Sequence, residues 1–117
     1  MPSGCTAYEG GYLDDKRNGF GVYHYKSGKV CYVGNWKDNQ REGLGVAFRS
    51  SDDSIFVGKW KNNIPTGEGT AFNAEGRLIY SGEWKDGKRH GRGTEYRNGE
   101  IIYSGEFRND LRYPAGN

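Results

Sequence analysis

The stretch from Tyr80 to Gly93, YSGEWKDGKRHGRG, decides how the whole chain is read. Taken alone it invites chemistry. Glycines among Lys88, Arg89 and Arg92 suggest a phosphate cradle, and Trp84 beside cations suggests a platform for a base. The same pattern recurs elsewhere as YEGGYLDDKRNGFG from Tyr8, YVGNWKDNQREGLG from Tyr32, FVGKWKNNIPTGEG from Phe56 and a fragment YSGEFRND from Tyr103. The intervals are 24, 24, 24 and 23 residues. A fixed period of this size marks a repeat architecture, in which each unit buries its apolar side by stacking on the next. The stretch is therefore scaffold before it is a site.

Each unit runs aromatic-x-Gly-x-aromatic, a polar loop, Gly-x-Gly, and another aromatic. The first part alternates with period two, so Tyr32, Gly34 and Trp36 fall on one strand face while Val33, Asn35 and Lys37 fall on the other. Phe56-Gly58-Trp60 and Tyr80-Gly82-Trp84 repeat the arrangement. The second part reads as strand at Gly21–Tyr25, Gly45–Phe48, Gly69–Phe72 and Gly93–Tyr96, with turn signals at Ser27-Gly28, Glu75-Gly76 and Asn98-Gly99. Glycine and turn residues interrupt every window long enough for an amphipathic helix.

The expected fold is all-β: an open, twisted antiparallel meander of about nine or ten strands, built from tandem hairpins into a single-layer trough. Glycine weakens a strand, so its systematic place between two rings implies room for a ring of the neighbouring strand. Tyr12, Trp36, Trp60, Trp84 and Phe107 would then form an aromatic ladder along one face. Residues 1–7 read as a lead-in, 8–108 as the array with units opening at 8, 32, 56 and 80 and a partial unit at 103, and 109–117 as a cap or tail. Pro114 stands where the fifth unit's Gly-x-Gly would begin, which suits a terminating edge.

Composition agrees. The 17 Phe, Trp and Tyr outnumber the 15 Val, Ile, Leu and Met, so the core of this 117-residue chain is built from rings. A net charge of +2 gives no general attraction for nucleic acid, and none is expected as a partner. Cys5 and Cys31 lack metal-ligand spacing and are too few for a disulfide framework, which favours a reducing, cytoplasmic setting with Cys31 as a buried strand residue. No apolar run is long enough to span a bilayer, and the amino-terminal residues lack the pattern of a signal peptide.

The motif YxGxWxxGKxxGxG, nearly complete from Tyr80 to Gly93, resembles the MORN (membrane occupation and recognition nexus) repeat, and the resemblance extends from Tyr8 to about Arg108. Departures are Tyr12 and Phe107 in place of Trp, and Asp15, Asn39 and Asn63 in place of the loop glycine. The resemblance implies scaffolding or tethering at the cytoskeleton or the inner membrane surface. It also implies a tie to enzymes such as lipid kinases and methyltransferases, whose catalytic domains this stretch does not contain.

Catalysis by these residues is not expected. The glycine pairs recur in every full unit without the helix or GK[ST] ending of a phosphate loop, and His24 and His90 have neither a repeating counterpart nor a nucleophile beside them. No cofactor or metal is implied. The leading expectation is a non-enzymatic interaction scaffold or adaptor that docks a peptide or helix of a partner protein, or a second copy, in an aromatic groove. The proposed anchors are Tyr8, Tyr12, Tyr32, Trp36, Phe56, Trp60, Tyr80, Trp84, Tyr103 and Phe107. Pairing along a free sheet edge offers another route to a homodimer. The alternative is a peripheral membrane adaptor whose opposite face presents Lys37, Lys59, Lys61, Lys85, Lys88, Arg89, Arg92 and Arg108 to anionic lipids, phosphoinositides or an acidic partner. Asp38, Glu83, Asp86 and Glu106 are interleaved with these cations and count against it.

Overall fold

The computed structural model describes residues 5–113, with side chains from residue 7 onward. Ten strands form one antiparallel sheet in chain order: β1 Cys5–Leu13, β2 Lys16–Tyr25, β3 Val30–Lys37, β4 Gln40–Phe48, β5 Ile55–Lys61, β6 Ile64–Phe72, β7 Leu78–Lys85, β8 Lys88–Arg97, β9 Glu100–Arg108 and β10 Leu111–Tyr113. The sheet does not close, because β1 and β10 pair only inward. Its 49 Å long axis matches nine inter-strand steps of about 4.8 Å. A radius of gyration of 15.1 Å, against about 13 Å for a compact domain of this length, is the mark of a single open layer. The expected meander is therefore observed, while Pro114 lies outside the described residues.

One local expectation changes. The polar segment inside each unit is a two-residue turn, and the second strand starts directly after it, so Lys88, Arg89 and Arg92 belong to β8 and to no loop. The turn residues Asp14-Asp15, Asp38-Asn39, Asn62-Asn63, Asp86-Gly87 and Asn109-Asp110 all have positive φ, 49° to 80°. That is the type I′ hairpin, whose twist matches the strands and which Asn and Asp tolerate. This explains why Asp15, Asn39 and Asn63 can replace glycine.

The replacements also do something glycine cannot. Asn39 Oδ1 accepts a hydrogen bond from the Arg17 backbone N–H, Asn63 Oδ1 from Arg41 and Asp110 Oδ1 from Arg89, each at 2.8 Å. In return the turn's own N–H donates to the same residue's carbonyl, at 3.1, 3.1 and 2.9 Å. Each turn after the first is thus stitched to the preceding unit. The third unit supplies Pro65, which has no N–H, and there the stitching turn carries Gly87, which has no acceptor side chain; only Gly87 N–H to Pro65 O remains, at 3.1 Å.

A row of glycines crosses the sheet in register: Gly10, Gly21, Gly34, Gly45, Gly58, Gly69, Gly82, Gly93 and Gly105. The ring over each hairpin pair comes from the same strand, two residues earlier, and not from the neighbour. Tyr32 covers Gly34 and Gly45, and a Cβ on Gly45 would collide with its phenol. Tyr80 covers Gly82 and Gly93 in the same way. The first glycine of each Gly-x-Gly, such as Gly43 at φ 84°, lies in the irregular stretch where one residue of a strand opposes three of its partner.

Candidate functional site

With Gly34 leaving room, the rings on either side of it lie down on the sheet. They do not stack as one ladder. They form an unbroken zigzag, Tyr12–Tyr8–Trp36–Tyr32–Trp60–Phe56–Trp84–Tyr80–Phe107–Tyr103, in which every neighbour meets edge to face at 4.8 to 5.5 Å. All ten proposed anchors are therefore brought together. Their accessibility differs, however: Tyr32, Trp36, Trp60, Tyr80 and Phe107 are at most 6% exposed, Tyr8, Phe56, Trp84 and Tyr103 are half-buried, and Tyr12 is 61% exposed. The first group is the core of a one-layer protein and offers a partner a floor.

Most polar ends of the rings are absorbed locally, the exception among the described residues being the buried Trp36 Nε1, which has no partner. The hydroxyls of Tyr8, Tyr32, Tyr80 and Tyr103 donate to the carbonyls of Gly11, Asn35, Glu83 and Glu106, each three residues on, at 2.9 to 3.2 Å. Trp60 and Trp84 donate to the carbonyls of Gly45 and Gly69. Burial pushes the phenols of Tyr32 and Tyr80 up to about 12, against the opposing pull of Arg41 and Arg89.

Those arginines belong to a second series that the motif reading missed. Arg17, Arg41, Arg89 and Arg112, with Pro65 between them, stand nine positions after the aromatic that opens each unit, Tyr8, Tyr32, Tyr80, Tyr103 and Phe56 respectively. The fixed offset was available in the sequence. The guanidinium groups lie over the ring face: Arg17 is 4.8 Å from Trp36, Arg41 4.6 Å from Tyr32, Arg89 5.2 Å from Phe107 and Arg112 4.9 Å from Tyr103. Arg89, expected among outward cations, is instead on the ring face and paired with Glu95 and Asp110.

Beyond the rings a groove of about 950 Å³ runs across the sheet from Tyr25 and Cys31 to Glu95 and Ile102. Its walls carry Phe48, Ile55, Ile79 and Ile102 above a floor of Phe56, Trp60, Tyr80 and Trp84. Three lining residues, Cys31, Ile79 and Ile102, occupy positions skipped by the pairing register, between Val30 and Tyr32, Leu78 and Tyr80, and Ile101 and Tyr103. Such a bulge re-aims a side chain, which is how residues next to a ring in sequence come to share its face. Cys31 is 1% exposed, as expected of a buried strand residue. It is disulfide-bonded, where the cysteine count pointed to a reducing setting. The side chain of Cys5 lies outside the described ones.

The remaining cations point elsewhere. Lys37, Lys59, Lys61, Lys85, Lys88, Arg92 and Arg108 are exposed, and Arg108 is 3.6 Å from Glu106 and stacks on Tyr113. His90 is half-buried and its Nδ1 accepts from the Asn109 N–H at 3.4 Å, a structural contact. Among the described residues no three His, Cys, Asp or Glu side chains converge as metal ligands, and no helix is long and apolar enough to cross a membrane.

Comparison with protein families adds one match. The family model described as MORN repeat fits residues 8–30, 32–53, 56–71, 80–101 and 103–112. No curated protein matches the chain.

Proposed function

The chain belongs to the MORN repeat family, and we propose that it is a non-enzymatic scaffold which docks a segment of a partner protein in the groove on its ring face. MORN repeats are in general modules of protein and membrane interaction, and the repeat itself is non-catalytic. The observation that carries the reading is the groove's layering. Ile79 and Ile102, 37% and 39% exposed, stand above a ring floor that is already packed, and no second layer covers them among the described residues. A partner would seat its apolar side chains against these walls and against the exposed parts of Phe56 and Trp84. The fully buried rings hold the shape.

A random peptide display library panned on the parent protein tests this, with Ile79→Glu/Ile102→Glu as the counter-selection. Both positions are at bulges outside the packed floor, so the variant keeps its fold. Peptides that bind the parent and not the variant support the groove. Selection that yields the same peptides on both, or none, overturns it. A concentration-dependent dimer abolished by the same substitutions would make a second copy the occupant.

One observation favours a second reading. Lys37, Lys61 and Lys85 occupy equivalent exposed positions, and none has a carboxylate within salt-bridge distance among the described residues. An anionic membrane surface would suit that row. Loss of vesicle co-sedimentation in Lys37→Glu/Lys61→Glu/Lys85→Glu, with steep salt dependence in the parent, would establish it; sedimentation unchanged by the charge reversal would remove it.

A further inference from the structure

The arginine series is identical in backbone placement and different in electrostatics. Arg41 pairs with Trp36 across its hairpin and Arg89 with Trp84, while Ala47 and Glu95 stand opposite the equivalent rings Tyr32 and Tyr80. In the fourth unit the guanidinium of Arg89 is neutralised from two sides, by Asp110 and by Glu95, whose carboxylate lies between Arg89 and the next unit's Arg112 and accepts from Arg112 Nε at 2.6 Å. Nη1 is 3.5 Å from Glu95 Oε2, Nε is 3.5 Å from Asp110 Oδ1, and Nη2 donates to the Asp110 carbonyl at 2.6 Å.

In the second unit both carboxylates are missing. Ala47 replaces Glu95, and neutral Asn63 replaces Asp110. Arg41 is nevertheless the most buried charge among the described residues, 3% exposed. Among the described residues its Nη2 has a sulfur acceptor, Cys31 Sγ at 3.4 Å, its Nε is buried without a partner, and Nη1, the atom that meets Glu95 in the sister unit, has no hydrogen-bond acceptor. Stacking on Tyr32 and Trp60 at 4.6 and 5.0 Å shields the charge without cancelling it. Burying a cation with no counter-charge is costly, and here it lines an open groove beside a methyl group where its counterpart has a carboxylate. The other units lack this combination. Arg17 shares the unpartnered Nε and the neutral turn residue Asn39, but Tyr23 fills the equivalent slot beside it, and Ala71 leaves the slot open beside Pro65, which carries no charge.

We propose that Arg41 receives an Asp or Glu side chain of the docked partner segment, in the slot that Ala47 leaves open and that Glu95 fills from within for Arg89. The inference rests on the groove reading and gives the partner a chemistry: an acidic residue at the Arg41 slot, followed by an apolar one at the Pro65–Ala71 slot. Adjacent slots are two strands apart, about 10 Å, a distance that an extended segment covers in about three residues and a helix in about seven. A carboxylate is favoured over a phosphate because Glu95 shows that one carboxylate fits this geometry, whereas a phosphate brings more charge than one guanidinium offsets.

The deciding variant is Ala47→Glu, which supplies the carboxylate internally. Two readouts follow. Thermal melting of the protein alone should give a higher midpoint for Ala47→Glu than for the parent or for Ala47→Gln, which has the same shape without the charge; no gain over Ala47→Gln would sink the proposal without touching the groove reading. Groove peptides selected on the parent should carry Asp or Glu at one fixed position and bind about thirtyfold or more weakly when it is changed to Gln or Asn. Ala47→Glu should abolish that preference. Groove peptides with no acidic position, or with unchanged affinity for Ala47→Glu, would overturn the assignment and leave the groove standing, while a library yielding no groove peptide would remove both. If Ala47→Glu instead releases vesicles containing phosphatidylserine and phosphoinositide, the slot takes a lipid phosphate and the partner assignment falls.

Discussion

The two faces of this sheet are made by the same strands and obey different rules. On the ring face, glycine and aromatic alternate so that each ring lies flat over bare backbone, and five of ten rings are nearly inaccessible in a protein with no second layer. On the other face the residues between them form a register row, Val22, Val33, Val46 and Val57 and then Thr70, Ser81, Thr94 and Ser104. Phe20 and Leu44, 63% and 62% exposed, stand on the strands beside that row. A one-layer sheet can therefore hold its core within the thickness of its own side chains. A ring folded over glycine is buried by its neighbours' edges, whereas a valine standing up from the pleat has nothing above it.

Substitutions that exchange these roles should have unequal effects. Trp60→Ala removes a ring that touches Tyr32 and Phe56 edge to face and stacks on Arg41, so about 3–5 kcal/mol should be lost. Val57→Ala on the opposite face, 40% exposed, should cost about 1 kcal/mol or less. Urea unfolding of both variants checks the contrast, and similar losses would mean that the faces share the stabilisation evenly.

A smaller effect sharpens the comparison along the ring face. Asn63→Ala deletes the acceptor that stitches the third unit's turn to Arg41 and should cost about 1 kcal/mol. Gly87→Asn at the equivalent turn should change stability by no more than about 0.5 kcal/mol, because Pro65 has no N–H to offer. If the two substitutions moved the unfolding midpoint alike, the pairing of Asn63 with Arg41 would be incidental.

The least effect at neutral pH is that of the phenols. Tyr32 and Tyr80 have folded values of about 12 against about 10 in the unfolded chain, so the folded state resists their ionisation. Their contribution is fully present below about pH 10 and is lost as pH climbs toward about 12. Tyr32→Phe should flatten that decline, and since Phe56 fills the same position naturally, it should be well tolerated at pH 7. A decline unaltered by the substitution would assign the alkaline sensitivity to other groups.

The repeat, the period-two alternation of ring and glycine, the hairpins and the open meander are legible in the chain alone, because each is set by residues close together in it. The arginine series was also there, at a constant offset, but it lay hidden in what read as a polar loop until the turn proved to be only two residues long. Tertiary structure alone decided which rings are floor and which wall, since burial comes from edges supplied by units 24 residues away. It also decided that Cys31, Ile79 and Ile102 turn into the groove, because a bulge is a mismatch between two strands and neither strand records it alone. The same holds for the unequal electrostatics of Arg41 and Arg89. A charge is satisfied or left open by what stands across the hairpin and on the next turn, and only the register brings Ala47 and Asn63 to one arginine and Glu95 and Asp110 to the other.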